Sequence, residues 1–199
     1  EKDIGLGVTL PLYVSGSKSV GWWAMLITMI GDMTAFASLI FGYFFYWTIH
    51  ENFPPEPSQG PGLLWPAVAA AALTGAWLLT WFARAWNRRG RRARFHGALA
   101  AASLLGVSGA CALLAGPWLA GLDPAEHVYP ATVWVLALWA AAHVAAGVLM
   151  QLYCIARGLA RRLTAEHDID ICNVALYWHF VEITAIVTVA VLALFPLVA

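Results

Sequence analysis

The sequence predicts an all-α integral membrane protein, a bundle of five transmembrane helices with a cytoplasmic N-terminus and a periplasmic C-terminus. Three observations predict it: an apolar composition, five apolar runs of spanning length, and a one-sided distribution of Lys and Arg. Hydrophobic residues make up 61% of the 199 positions and charged residues 11%, with a mean hydropathy of +0.72. A soluble domain carries about 25% charged residues, and a water-soluble fold of this size has no interior that could hide so much apolar surface. The formal net charge is zero, so bulk charge points neither to nucleic acid nor to an acidic substrate.

A hydrocarbon core of about 30 Å takes roughly 20 mostly apolar residues in a helix. Five runs meet this requirement, at about 20–49, 63–85, 95–118, 131–156 and 171–198, each bounded by Pro, Gly or a charged cluster. A β-barrel would need alternating segments of roughly 10 residues, and the runs show no such alternation. Helices are then the remaining way to satisfy backbone groups in lipid. The third and fourth runs carry small residues, Ala98, Ala102, Gly106 and Gly109, then Ala141, Ala145, Ala146 and Gly147. These let backbones approach closely, and both helices are expected to lie inside the bundle or face a partner. Aromatic residues collect near span ends, as at Trp22, Trp23, Tyr46, Trp47, Trp118 and Trp134, where ring and polar tip both find suitable surroundings. Pro54, Pro55, Pro57 and Pro61 stiffen the first loop. With no internal repeat, linker or low-complexity tail, residues 1–199 are expected to form one domain.

The cations set the orientation. Lys2 and Lys18 precede the first run, six arginines from Arg84 to Arg94 bracket the second loop, and Arg157, Arg161 and Arg162 lie in the fourth, which accounts for all 11 Lys and Arg residues. The loops 50–62 and 117–130 contain none, so the positive-inside rule puts the N-terminus and the even-numbered loops in the cytoplasm. The Arg88–Arg92 cluster joins two spans within a few residues. It is a topology signal that also touches anionic lipid, and not a nucleic-acid patch. Cys111, Cys154 and Cys172 show no CxxC spacing and are expected to be small buried hydrophobes. The chain opens on Glu1 and not on Met, which suits a processed chain or a segment cut from a longer polypeptide.

Ionisable residues inside the spans are costly and tend to carry a role. Asp32, Glu182 and His143 lie about 12, 11 and 13 residues from the cytoplasmic ends of their runs, depths of roughly 18, 17 and 20 Å at 1.5 Å per residue. All three could therefore meet near one level. His179 and Glu182, three apart on one helical face, could pair or jointly hold a polar head group or water. The plainer alternative is that the carboxyls only hydrogen-bond between helices. Thr28 and Thr184 are expected to satisfy backbone carbonyls. Of the six histidines, only His143 is deep, which leaves no mid-membrane pair for a bis-His haem. No HExxH, phosphate-binding glycine loop or nucleophile elbow is present.

The fifth run contains Tyr177-Trp178-His179-Phe180-Val181-Glu182, preceded by His167. It resembles the closing-helix signature, usually YWHFVD, of the cytochrome c oxidase subunit III family. Gly21-Trp22-Trp23-Ala24-Met25, leading through Asp32 to Phe36, is similar to that family's opening motif, and His143-Val144 with Gly147 to the motif of its penultimate helix. Departures are Asp32 where Glu is common, Glu182 where Asp is usual and Ala140 where another His is frequent. Five spans match the shorter bacterial forms of a family that often has seven.

The resemblance implies an accessory subunit without haem or copper of its own, those cofactors residing on partner subunits I and II of a proton-pumping oxidase in a bacterial inner membrane. It implies docking on subunit I, to which some such chains are fused, bound phospholipid, and support of proton uptake and sustained turnover. Asp32, His143, His167, His179 and Glu182 are the lipid- or proton-related candidates. Two further readings remain: an accessory protein of nitric oxide reductase from the same superfamily, and a proton-coupled carrier.

Overall fold

The computed structural model describes residues 2–3, 5–7, 9–10, 16–55 and 60–197. Five long helices dominate it: α1 (Val20–Ile49), α2 (Leu64–Arg88), α3 (Arg92–Leu119), α4 (Val128–Leu159) and α5 (Ile169–Ala193). All five are long and apolar enough to cross a membrane. Ahead of them, Lys2–Asp3 (β1) pairs antiparallel with Thr9–Leu10 (β2), and a 3-10 turn at Gly16–Lys18 leads into α1.

Local chemistry explains where the helices start and stop. The Ser19 hydroxyl accepts the Trp22 N–H at 3.1 Å and caps α1. His127 does the same for α4, its Nδ1 accepting from the Tyr129 N–H at 3.1 Å. Arg89 to Arg91 form the turn between α2 and α3, with Gly90 at φ +66° receiving the chain in the left-handed conformation that closes a helix. Within α1 the hydroxyls of Thr28, Thr34 and Ser38 donate to the carbonyls of Ala24, Ile30 and Thr34 at 2.9–3.0 Å. This return bond hides a polar group on a helix that is mostly uncovered, and Thr184 makes the same bond to Phe180 at 2.9 Å.

Several boundaries differ from the hydropathy runs. The second helix continues to Arg88 and the third starts at Arg92, because arginine ends an apolar run without opposing helix formation. The fourth begins at Val128, where the His127 cap and Pro130 in the first turn are both compatible with a helix start. The fifth stops at Ala193 rather than near residue 198. A 3-10 turn at Phe195–Leu197 follows, since Pro196 has no N–H to continue the ladder.

Helices α2, α3, α4 and α5 each pack on the next, and α5 closes back on α2; α1 lies outside this group against α4 and α5. Along the α2–α5 seam Thr74 meets Glu182, Trp77 meets His179 and Arg88 meets Asp168. Three steps up one helix are three steps down the other, so the pair is antiparallel in a single register. Burial is graded: 61% of the most apolar stretch of α5 is inside, against 11% of that of α1. Gly106, Gly109 and Gly147 face neighbouring helices as expected, but Ala145 and Ala146 point outward. α5 is the most buried helix of the group, and α3 and α4 follow it ahead of α2 and α1. Cys154 and Cys172 are buried, whereas Cys111 is exposed on the outer face of α3, a correction to the expectation that all three are inside.

Candidate functional site on the closing helix

The string from Tyr177 to Glu182 advances about 100° per residue and so addresses all four other helices in turn. Trp178 is fully buried and inserts between α3 and α4, its Nε1–H donating to the Gly147 carbonyl at 3.3 Å. Gly106 and Gly147 exist as glycines because a Cβ at either would stand 3.1 Å from that indole. Tyr177 and Phe180 turn toward α1 and α4. The Tyr177 hydroxyl donates to the His143 carbonyl at 3.2 Å, and Phe180 packs edge-on against Phe36 with centroids 5.9 Å apart. His179 and Glu182 turn the other way, toward α2.

His143 therefore sits in an aromatic pocket, with the rings of Phe36, Trp139 and Phe180 at 5.2, 5.2 and 5.6 Å from its own. Its Nδ1 lies 2.8 Å from the Trp139 carbonyl. A carbonyl only accepts, so Nδ1 carries a proton and the ring turns Nε2 outward. That nitrogen is 3.6 Å from Asp32 Oδ2. The Asp32 side chain is 34% exposed and that of His143 13%, so the pair opens to the outside at the edge between α1 and α4.

Glu182 is buried, and its Oε1 accepts from the Thr74 hydroxyl at 2.6 Å. Its Oε2 is enclosed without a hydrogen-bond partner. His179 Nδ1 accepts from the Trp77 Nε1–H at 2.6 Å, which makes it a neutral imidazole with its proton on Nε2. His179 and Glu182 thus share a face, but each takes its own partner on α2 instead of pairing. Asp32 and His143 do come together, while Glu182 faces the opposite side of α5, so the three residues do not converge. His167 lies in the loop before α5, next to the Thr164 hydroxyl at 3.2 Å.

A second polar cluster escaped the sequence reading. Gln151, fully buried on α4, donates through Nε2 to Thr80 on α2 at 2.7 Å, and its Oε1 is 3.1 Å from the Ser103 hydroxyl on α3. A lone amide inside an apolar run was the available signal. The loop between α4 and α5 is also fastened: buried Asp168 meets Arg88 at 2.9 Å, and Asp170 meets Arg157 at 3.0 Å. Two grooves flank the far half of α4, one of about 620 Å³ reaching Trp118 and Trp134 and one of about 280 Å³ against α1, with Ala131 and Val135 common to both. Among the described residues no three His, Cys, Asp or Glu side chains converge as a metal site would require.

No protein-family model matches the chain. Over 175 residues it is 25% identical to cytochrome c oxidase subunit 3 of Petromyzon marinus, an alignment covering 81% of this chain and 64% of that protein. The chain, a helical bundle with five helices able to cross a membrane, is thus similar to an oxidase subunit across most of its own length and spans under two thirds of that relative's.

Proposed function

We propose that the chain is the accessory subunit III, or the equivalent part of a polypeptide fused behind subunit I, of a proton-pumping cytochrome c oxidase in aerobic respiration. In this reading its 199 residues act as one membrane domain of a bacterial inner membrane, with the N-terminus cytoplasmic and the C-terminus periplasmic. It docks on subunit I in a complex with subunit II, holds phospholipid, and supports proton uptake and sustained turnover. Haem and copper belong to the partner subunits. The similarity to an oxidase subunit 3 supports the complex, and one observation carries the role. Asp32 Oδ2 lies 3.6 Å from His143 Nε2, a carboxyl group facing an imidazole at the edge of α1, the helix least covered by the rest of the bundle.

The test is Asp32→Asn in the purified complex. An asparagine amide still donates toward Nε2 of His143 but holds no exchangeable charge, so packing is kept and titration is removed. Haem content and initial rate should match the unaltered complex, and activity should decay faster during sustained turnover. Abolition of the first turnover would put the residue in the oxygen chemistry, and behaviour identical to wild type throughout would leave it as helix glue. The haem spectrum of the co-purifying complex tests the partner: a haem and non-haem-iron reductase would favour the nitric oxide reductase reading, and a haem-free preparation that moves solute would favour the carrier.

A further inference from the structure

At its arginine-rich end α2 carries a hollow of about 270 Å³ lined by Trp81, Arg84, Ala85, Arg88 and Arg89. We propose that this hollow binds the phosphate of an anionic phospholipid, with the Trp81 ring against the glycerol and first methylenes of its chains. The inference deepens the lipid-holding part of the proposed function, from which it needs only the membrane setting and no oxidase partner.

Positions 81, 84, 85 and 88 recur at the spacing of one helical face, so Arg84 and Arg88 leave the same side of α2 about 6 Å apart in rise. Their charge is cancelled only in part. Arg88 donates its Nε–H to Asp168 at 2.9 Å, and its side chain remains 53% exposed. Arg84 and Arg89 have no carboxylate within ion-pair distance among the described residues. The hollow therefore holds a surplus of positive charge, and planar guanidinium forks match phosphate oxygens two at a time.

Its floor selects the kind of phosphate. Trp81 is half exposed, and exposed Leu78, one turn farther from the arginines, continues from it along α2 into the apolar band. A free anion has no use for that surface, whereas a phospholipid places its phosphate on the arginines and its chains beyond the indole, at the level where interfacial tryptophans reside. The geometry is that of a headgroup seat at the foot of a lipid-facing helix.

The experiment titrates the full chain, purified in detergent, with phosphatidylglycerol and with phosphatidylcholine, and counts bound lipids by native mass spectrometry. One phosphatidylglycerol should bind with clear preference over phosphatidylcholine. Each basic side chain near an anionic headgroup is good for about five-fold in affinity, so Arg84→Gln with Arg89→Gln should weaken phosphatidylglycerol on the order of 25-fold and leave phosphatidylcholine unchanged. Arg88 is left in place to keep its bond to Asp168. Equal binding of the two lipids, or full retention of phosphatidylglycerol by the double variant, overturns the proposal. Displacement by excess inorganic phosphate also overturns it, by identifying a free-anion site.

A second measurement is independent of the double variant's folding. Phosphatidylglycerol with brominated chains should quench tryptophan fluorescence of the wild type, and that increment should vanish in Trp81→Phe. An increment that persists in Trp81→Phe puts the lipid elsewhere. Failure of the oxidase to co-purify would leave these lipid results untouched, and failure of the lipid binding would leave the oxidase assignment standing.

Discussion

Trp178 is wedged between α3 and α4. Its ring is buried completely, Gly147 both accepts its N–H and yields the space its face occupies, and Gly106 yields the space at its edge. A methyl group at Gly106 would lie 2.7 Å from Val148 Cγ2 as well as 3.1 Å from the indole. Val148 can give way by a small rotation, but the enclosed indole cannot. Gly106→Ala should therefore destabilise the bundle by about 1–3 kcal/mol, the usual range for overpacking a tight core. Gly97 lies on the same helix with open space where its Cβ would be. Gly97→Ala should be neutral or stabilising by up to about 1 kcal/mol through helix propensity alone. Thermal unfolding of both variants in one detergent is the check, and equal shifts would remove the steric explanation.

At the scale of elements, the sequence supplies five stretches that must be helical in lipid but leaves their mutual register open, because lipid-facing leucine and buried leucine look alike in a list. Register is settled by side chains that need a specific partner. Between α2 and α5 these are Thr74 with Glu182, Trp77 with His179 and Arg88 with Asp168. Among α2, α3 and α4 the corresponding element is Gln151, reaching Thr80 on one side and Ser103 on the other. Both hydroxyls also lie within bonding distance of carbonyls on their own helices, Ala76 at 2.7 Å and Leu99 at 2.9 Å. Removing the amide thus orphans neither. Interhelical hydrogen bonds in membranes average about 0.6 kcal/mol each, so Gln151→Leu, similar in volume, should cost about 1 kcal/mol. A loss several times larger in equilibrium unfolding would mean that the amide also holds something beyond these two bonds.

For the whole molecule, the decisive asymmetry is that α1 packs on one side only while α5 is surrounded. The open side of α1 carries exposed Trp23, Ile27, Ile30, Phe41 and Phe45 and one edge of the Asp32–His143 pair, and so offers a partner both apolar area and a polar anchor. The proposed orientation is tested with a reagent that cannot cross the membrane, applied to cysteines added one at a time in a Cys111→Ser background, where Cys154 and Cys172 stay buried. Cysteines replacing Glu51 and Pro124, both exposed at one end of the bundle, should react from outside, and one replacing Arg91, exposed at the other end, should not. Reversed labelling would invert the topology. Gly60 is unsuited to such a probe: its backbone is at φ +68° and a Cβ would lie 2.5 Å from the Tyr129 hydroxyl.

The sequence by itself determined the number of helices, their order and their approximate extent, because a hydrocarbon solvent admits one way to satisfy a backbone and twenty apolar residues are needed to do it. It also marked Asp32 and His143 correctly as neighbours in depth, since rise per residue is constant along a helix. Only the tertiary structure decided which way each residue looks. Rotation of a helix about its axis is invisible in a run apolar all round, so Glu182 read as a companion of Asp32 when it faces α2, and His179 read as its neighbour's partner when it takes Trp77. The exposed turns of Cys111, Ala145 and Ala146 have the same origin. What fixes rotation is the pairing of small residues with large ones and of donors with acceptors across helices, as Trp178 against Gly106 and Gly147 and Gln151 against Thr80 and Ser103. These pairings join residues 31 to 72 positions apart, and distance along the chain carries no record of them.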